Sequence, residues 1–250
     1  NVVMKTEVFT LPNGPDITLT TYILDTSDEM PNMKIRPAIL VLPGGGYHFC
    51  SAREAEPIAM AFLAQGYNAF VLRYSLGKEK AKFPRPLEDA ESALELIRGN
   101  AEKWGIDPDK VAVIGFSAGG HLAAALAAMG RIRPNAAILG YPCILSSTGD
   151  VLAEPVPSVD EFVDAKTPPS FIFSSCEDTC VPIENSLAFA AALNKAGVPF
   201  ELHIFEKGNH GFSLANAVVC ATKESRTANR FAARWFPMCA AWLNRLFEVD

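Results

Sequence analysis

One serine stands where the chain could make it a nucleophile. Residues 111–129 read VAVIGFSAGGHLAAALAAM, and Ser117 is the centre of the G-x-S-x-G pentapeptide within them. The run VAVI before it is continuous and apolar, the pattern of a strand covered on both faces. The alanine-rich, leucine-spaced run after Gly120 reads as a helix. This is the setting in which a strand turns sharply into a helix and holds a serine hydroxyl proud of a sheet. Side chains at Gly115 or Gly119 would crowd that turn, and Ser117 itself must take strained backbone. An N-cap serine alone would explain Ser117 but not the flanking glycines.

A serine hydroxyl is a weak nucleophile near neutral pH, so it needs a base, a group to orient the base, and donors for a developing oxyanion. In this setting the order is serine, acid, histidine. His210 is the base candidate, because EKGNHGF is a glycine-flanked loop directly after the strand-like run 200–205, and such sheets bind ligands beyond the carboxyl ends of their strands. His203 lies inside that run and is expected to pack on a sheet face. His121, on the helix after the serine, is expected to pack or to face solvent, and His48 lies beside a glycine loop; neither has the required order. For the acid, run 170–175 reads as a strand and CEDTCVP as the loop beyond it. Asp178 is preferred over its neighbour Glu177, because the following Val-Pro suits the start of a helix and frames Asp178 as the loop tip. A carboxylate there would hold one ring nitrogen of His210 and leave the other to take the serine proton.

The oxyanion donors are expected from the backbone amides of Gly45, Gly46 and Ala118. The apolar run AILVL, residues 38–42, leads straight into Pro43-Gly44-Gly45-Gly46-Tyr47, where bare backbone can approach a reacting carbonyl. A flexible turn is the plainer reading of three glycines, but no phosphate-binding G-x-x-x-x-G-K-[ST] or G-x-G-x-x-G pattern accompanies them. Tyr47, next after these glycines, is expected either to wall the substrate side of the site or to belong to the core.

Together LPGGGY, GIDPDKVAVIGFSAGGHLAA and EDTCVPIENSLAFAAALNKAGVPFELHIFEKGNHGF resemble the alpha/beta-hydrolase superfamily, specifically its acetyl xylan esterase-like and hormone-sensitive-lipase-like esterases. The resemblance covers nearly the whole chain. It implies a Ser117, Asp178, His210 triad, carboxylic ester hydrolysis, and carbohydrate acetyl esters as the favoured substrates. Many relatives carry histidine before the three glycines where this chain has Pro43, which favours the xylan esterase-like branch.

The elements needed to position these groups follow from the rest of the pattern. Segments 17–24, 68–73, 136–141 and 200–205 read as strands, 86–101 and 228–247 as helices, and 105–109 as a turn leading back to the nucleophile strand. The expected fold is α/β, a mostly parallel twisted sheet with helices on both faces and no large cap domain, in one domain spanning 1–250. Segment 144–169, rich in Pro, Ser and acidic residues, interrupts the rhythm as a short lid or a surface loop. A net charge of −6 argues against nucleic acid as a partner. No apolar run has the roughly 18 residues of a membrane span. No leader pattern is legible at the start, and the irregularly spaced cysteines show no metal signature and are read mainly as core thiols. The expectation is a cytoplasmic enzyme with no cofactor and no metal, acting on a small-molecule or oligosaccharide ester; a homo-oligomer is compatible with the sequence, as is a mature secreted form.

Overall fold

The computed structural model describes residues 3–249. Its strands are β1 (Met4–Thr10), β2 (Thr18–Leu24), β3 (Arg36–Leu42), β4 (Asn68–Arg73), β5 (Ile106–Phe116), β6 (Ala136–Gly140), β7 (Ser170–Ser175) and β8 (Phe200–Phe205). They form one sheet in the order β1-β2-β4-β3-β5-β6-β7-β8. The first two strands run antiparallel to their neighbours, and every pairing from β4 through β8 is parallel.

The apolar runs become strands because both faces of this sheet are covered. In β3, Ala38, Leu40 and Leu42 face one core while Ile39 and Val41 face the other, the period-2 alternation of a strand. Helices α1 (Glu56–Leu63), α2 (Arg85–Gly99), the single turn α3 (Ala101–Trp104), α4 (Ala118–Met129) and α5 (Glu184–Ala196) follow in chain order. Of these, α2, α4 and α5 pack on the first face. The second face is covered by α1 and, after the short α6 (Lys223–Asn229), by α7 (Trp235–Phe247), whose Trp235 stacks on Phe173 of β7 at 4.2 Å between ring centroids. The mostly parallel α/β sheet with helices on both faces that the pattern predicts, and that the resemblance implies, is therefore present. No helix among the described residues is long and apolar enough to cross a membrane.

Two expectations of local structure need correction. Residues 106–109 are not a turn: only Gly105 turns, at φ 61°, and the chain is extended from Ile106 because it pairs with Arg36 at the start of β3. Segment 228–247 is not one helix. Pro237 has no N–H to donate back to residue 233, so a continuous helix through that point would lose a rung. The chain instead makes a 3₁₀ turn at Ala232–Arg234 before α7. Long-range contacts hold the break, since Trp235 Nε1 donates to the Ser213 carbonyl at 2.8 Å and Asn229 Oδ1 accepts from the Asn209 amide at 2.7 Å.

Segment 144–169 carries 3₁₀ turns at Ser146–Val151 and Val159–Phe162, with Leu152, Val156 and Val159 buried. It is tied to the glycine loop by the Ala153 amide, which donates to the Gly46 carbonyl at 2.8 Å. A second tie runs through His121, which is fully buried on α4 and so packs rather than faces solvent. The Pro157 carbonyl can only accept, so His121 Nε2 carries the hydrogen and donates to it at 3.0 Å, while Nδ1 accepts from the Tyr47 hydroxyl at 3.0 Å. One imidazole thus joins the glycine loop, α4 and segment 144–169.

Burial lowers the pKa of this imidazole from 6.5 to about 4, against a small opposing effect of its bond to Pro157. The folded form therefore binds the proton less well than the unfolded chain. The stabilisation associated with neutral His121 is complete above pH 6.5, falls as pH drops, and is fully lost below about pH 4. The expected difference is about 3 kcal/mol. Denaturant titrations at several pH values check it: the pH dependence of His121→Gln should be shallower than that of wild type by about that amount over the same window.

Candidate active site

Ser117 sits between β5 and α4 with φ 55° and ψ −117°, a conformation that side-chain-bearing residues rarely adopt. Its neighbours show why glycine is required. A Cβ on Gly115 would lie 1.9 Å from the Gly119 carbonyl oxygen, and one on Gly119 would lie 2.1 Å from the carbonyl oxygen of Leu42 at the end of β3. The turn is held by the Ser117 amide, which donates to Gly140 at 2.9 Å, and by the Cys143 amide, which donates to Ser117 at 3.0 Å.

The loop after β8 brings His210 over the serine. Its Nε2 is 2.9 Å from Ser117 Oγ, and its Nδ1 is 2.6 Å from Asp178 Oδ2. The carboxylate accepts, so Nδ1 carries the ring hydrogen and bare Nε2 faces the hydroxyl. The Asp178 side chain is 1% exposed. Its other oxygen accepts from the amides of Cys180 at 2.9 Å and Val181 at 2.8 Å. Three N–H donors thus converge on a buried carboxylate, which is the environment a fixed negative charge needs.

Glu177, the competing acid, points elsewhere. It is exposed and accepts from Lys207 Nζ at 2.8 Å and from the Gly208 amide at 3.3 Å, bonds that hold its pKa below the usual carboxylate value. It braces the loop that carries His210. Ser175 assists by donating its hydroxyl to the Gly208 carbonyl. His203 lies within β8 with its ring against Phe171, 5.0 Å between centroids, and takes no part in the site.

Gly45 and Gly46 line a cavity of about 330 Å³ together with Ser117 and His210. Both glycines have positive φ, 129° and 63°. Among the described residues, the amides of Gly45, Gly46 and Ala118 make no backbone hydrogen bond outside the regular elements, so these donors are free for an oxyanion. Tyr47 does not wall the cavity. Its backbone, at φ 60°, turns the ring into the core, where it is 1% exposed and bonded to His121. The expectation of a substrate contact there is corrected to a structural role.

Several cavity residues were not foreseen: Phe49, Arg53, Val151, Cys180 and Glu54. Glu54 is 3% exposed, and burial raises its pKa, partly offset by the bond it accepts from the Tyr141 hydroxyl. Tyr141 also accepts from the Ser213 amide at 3.0 Å and sets its ring edge-on to His210, 5.1 Å between centroids. Glu54 thereby couples the region beside the glycine loop to the floor beneath His210. The charged run Arg53-Glu54-Ala55-Glu56 just past a glycine loop was the available signal, but charge on a sequence does not tell which side chain turns inward. Of the cysteines, only Cys143 and Cys239 are buried; Cys176 and Cys180 lie exposed in the acid loop, so the reading of mainly core thiols is corrected. Among the described residues no group of three or more His, Cys, Asp or Glu could hold a metal ion.

Two family models match the chain, BD-FAE over residues 24–139 and the prolyl oligopeptidase family over residues 150–238. Endo-1,4-beta-xylanase B of Butyrivibrio fibrisolvens is 38% identical over 210 residues, 72% of this chain and 33% of that protein. The acetylxylan esterase of Xylanibacter ruminicola is 31% identical over 201 residues, 71% of this chain and 41% of that protein. The chain thus spans between a third and about two-fifths of the length of these curated relatives. Among solved structures, an alpha/beta hydrolase from a Medee basin deep-sea metagenome library is 47% identical with a TM-score of 0.92, covering 98% of both chains. An acetyl ester-xyloside bifunctional hydrolase from Caldicellulosiruptor lactoaceticus is 36% identical with a TM-score of 0.80, covering 94% of this chain and 90% of that one.

The geometry makes Ser117 the side chain that an electrophilic fluorophosphonate should label. Mass spectrometry of the labelled protein should place the adduct there. Asp178→Asn should slow labelling by about a thousandfold or more, whereas Glu177→Gln, which only loosens the loop, should slow it by less than about tenfold. The reverse ranking would move the orienting acid to Glu177.

Proposed function

The chain belongs to the alpha/beta-hydrolase superfamily, and on that premise we propose that it is a serine carboxylic ester hydrolase that removes acetyl groups from xylan-type oligosaccharides. The observation that carries the reading is the unbroken hydrogen-bond chain from Ser117 through His210 to buried Asp178, in a cavity also lined by Gly45 and Gly46, whose amides have no backbone partner among the described residues.

In the first half-reaction, Ser117 Oγ attacks the ester carbonyl carbon as His210 Nε2 takes its proton. The carbonyl oxygen becomes an oxyanion that accepts from the amides of Gly45, Gly46 and Ala118. The tetrahedral adduct collapses, the C–O bond to the sugar breaks, and the imidazolium gives its proton to the departing alkoxide. Water, deprotonated by His210, then attacks the acyl-serine, and collapse releases acetate and returns the proton to Ser117. Asp178 keeps the imidazole in one orientation and stabilises its charged form.

Support for acetyl and xylan-type substrates comes from the similarity to an acetylxylan esterase and to an acetyl ester-xyloside hydrolase. The catalytic cavity, about 330 Å³ and only partly enclosed, suits a short acyl group on a bulky alcohol. Fold membership alone would not select the substrate, because specificity resides in the loops.

A peptidase reading has its own support in the prolyl oligopeptidase match over residues 150–238. The two are separated by one assay set: acetate release from acetylated xylo-oligosaccharides, hydrolysis of 4-nitrophenyl acetate and butyrate, and cleavage of prolyl 4-nitroanilides, with Ser117→Ala as control. The expected outcome is acetate release and faster turnover of acetate than of butyrate, both abolished in Ser117→Ala. Hydrolysis of activated esters alone would reduce the reading to a general small-acyl esterase, and nitroanilide cleavage without ester turnover would replace it with the peptidase.

A further inference from the structure

A second cavity, about 390 Å³, adjoins the catalytic one and shares Val151 and Cys180 with it as a common wall. It lies between the 3₁₀ turn Ser146–Val151 and the start of α5. We propose that it is the subsite for the alcohol half of the ester, held as a neutral, polyhydroxylated ring. This rests on the ester-hydrolase reading above and adds where, and by what chemistry, the alcohol is selected.

The floor of this cavity is rigid. Asn185 is buried, and its Oδ1 accepts from the amides of Ile144 at 2.8 Å and Leu145 at 2.9 Å and from the Thr148 hydroxyl at 3.0 Å. Those bonds fix the backbone of segment 144–148 against α5. The rim is different. Ser147, Asp150 and Glu184 line the cavity, and among the described residues none of the three side chains takes part in a hydrogen bond or ion pair within the protein. All three are exposed, so a ligand that displaces their water meets one hydroxyl and two carboxylates, and carboxylates only accept. The matching ligand presents several O–H donors.

Between these groups lie Leu145, Val151 and Pro182, apolar surfaces suited to the C–H face of a sugar ring. Two carboxylates with no cation beside them repel an anionic alcohol. The same carboxylates attract a cation, so a cationic alcohol is the competing occupant; no aromatic ring lines the cavity to give it a cation–π contact, and choline is included in the test for that reason. The acyl group has its own place in the catalytic cavity with the glycine loop, so the alcohol is the half that extends past Val151.

Deacetylated xylobiose, the product-type alcohol, tests this without requiring turnover of a sugar ester. Its binding is measured by calorimetry to wild type and to the double variant Asp150→Ala/Glu184→Ala, each shown to be folded by fluorophosphonate labelling of Ser117. The same sugar is then tested as a competitor of 4-nitrophenyl acetate, with each protein's own uninhibited rate as reference. We expect millimolar, competitive binding to wild type and a weakening of about tenfold or more in the double variant, the loss of at least one charge-assisted hydrogen bond. No binding to wild type, or equal binding to the double variant, overturns the subsite. Tighter binding of choline than of xylobiose overturns the neutral-hydroxyl assignment. Failure of wild type to hydrolyse any ester would instead overturn the enzymatic reading, and calorimetry reports on the subsite independently of that result.

Discussion

The steric contact between Gly115 and Gly119 is the constraint on which the site depends. With a would-be Cβ of one residue 1.9 Å from the carbonyl oxygen of the other, only glycine lets β5 run so abruptly into α4. The same crowding reaches Leu42 and Pro43, whose carbonyl oxygens lie 2.1 and 2.4 Å from the Cβ that Gly119 lacks. The end of β3, and hence the glycine loop that follows it, is thereby pressed against the nucleophile turn. Ser117 takes an unfavourable backbone conformation as a result, at a cost on the order of 1–3 kcal/mol. Burial of α4 and the parallel pairing of β5 with β3 and β6 offset that cost.

From that point the parallel topology does the gathering. Loops leaving β3, β5, β7 and β8 all emerge at the carboxyl edge of the sheet, so residues far apart in the chain meet there. Each loop is then held by polar contacts that do no chemistry. Glu177 ties the β7 loop to the β8 loop, Asp178 is seated on two amides of its own loop, and Glu54 with Tyr141 supports the face of His210. Of these carboxylates Asp178 and Glu54 are buried and satisfied locally, which favours one arrangement of the loops over others.

Segment 144–169 shapes the surface beside the Ser117 cavity. Its tie to Gly46 and its bond to His121 set it beside the glycine loop, so Val151 stands between the Ser117 cavity and the one next to it. Because His121 bonds both Tyr47 and Pro157, the position of this segment and the shape of the glycine loop are mechanically linked. Tyr47 serves that linkage from within the core, which is why a residue adjoining the glycines contributes no wall to the cavity.

What the sequence by itself determined was local. Apolar runs flanked by turns identified β3, β4, β5, β6 and β7, because burial on both faces leaves a continuous hydrophobic stretch, whereas the half-buried edge strand β8 was legible from its alternation. The glycines around Ser117 declared the strained turn, because their requirement is steric and lies within five residues. The break before the terminal helix was not read from the sequence, because the apolar periodicity of 228–247 masked the donor that Pro237 lacks. What only the tertiary structure decided was pairwise and distant. Ser117 and His210 are 93 positions apart, and His210 and Asp178 are 32 apart, so a one-residue choice between Asp178 and Glu177 depended on how two loops meet. The inward turn of Tyr47, the burial of Glu54 and the extension of 106–109 by pairing with Arg36 were of the same kind. Propensity and spacing act along the chain, whereas these outcomes were set by sheet register and by which buried polar groups found partners across it.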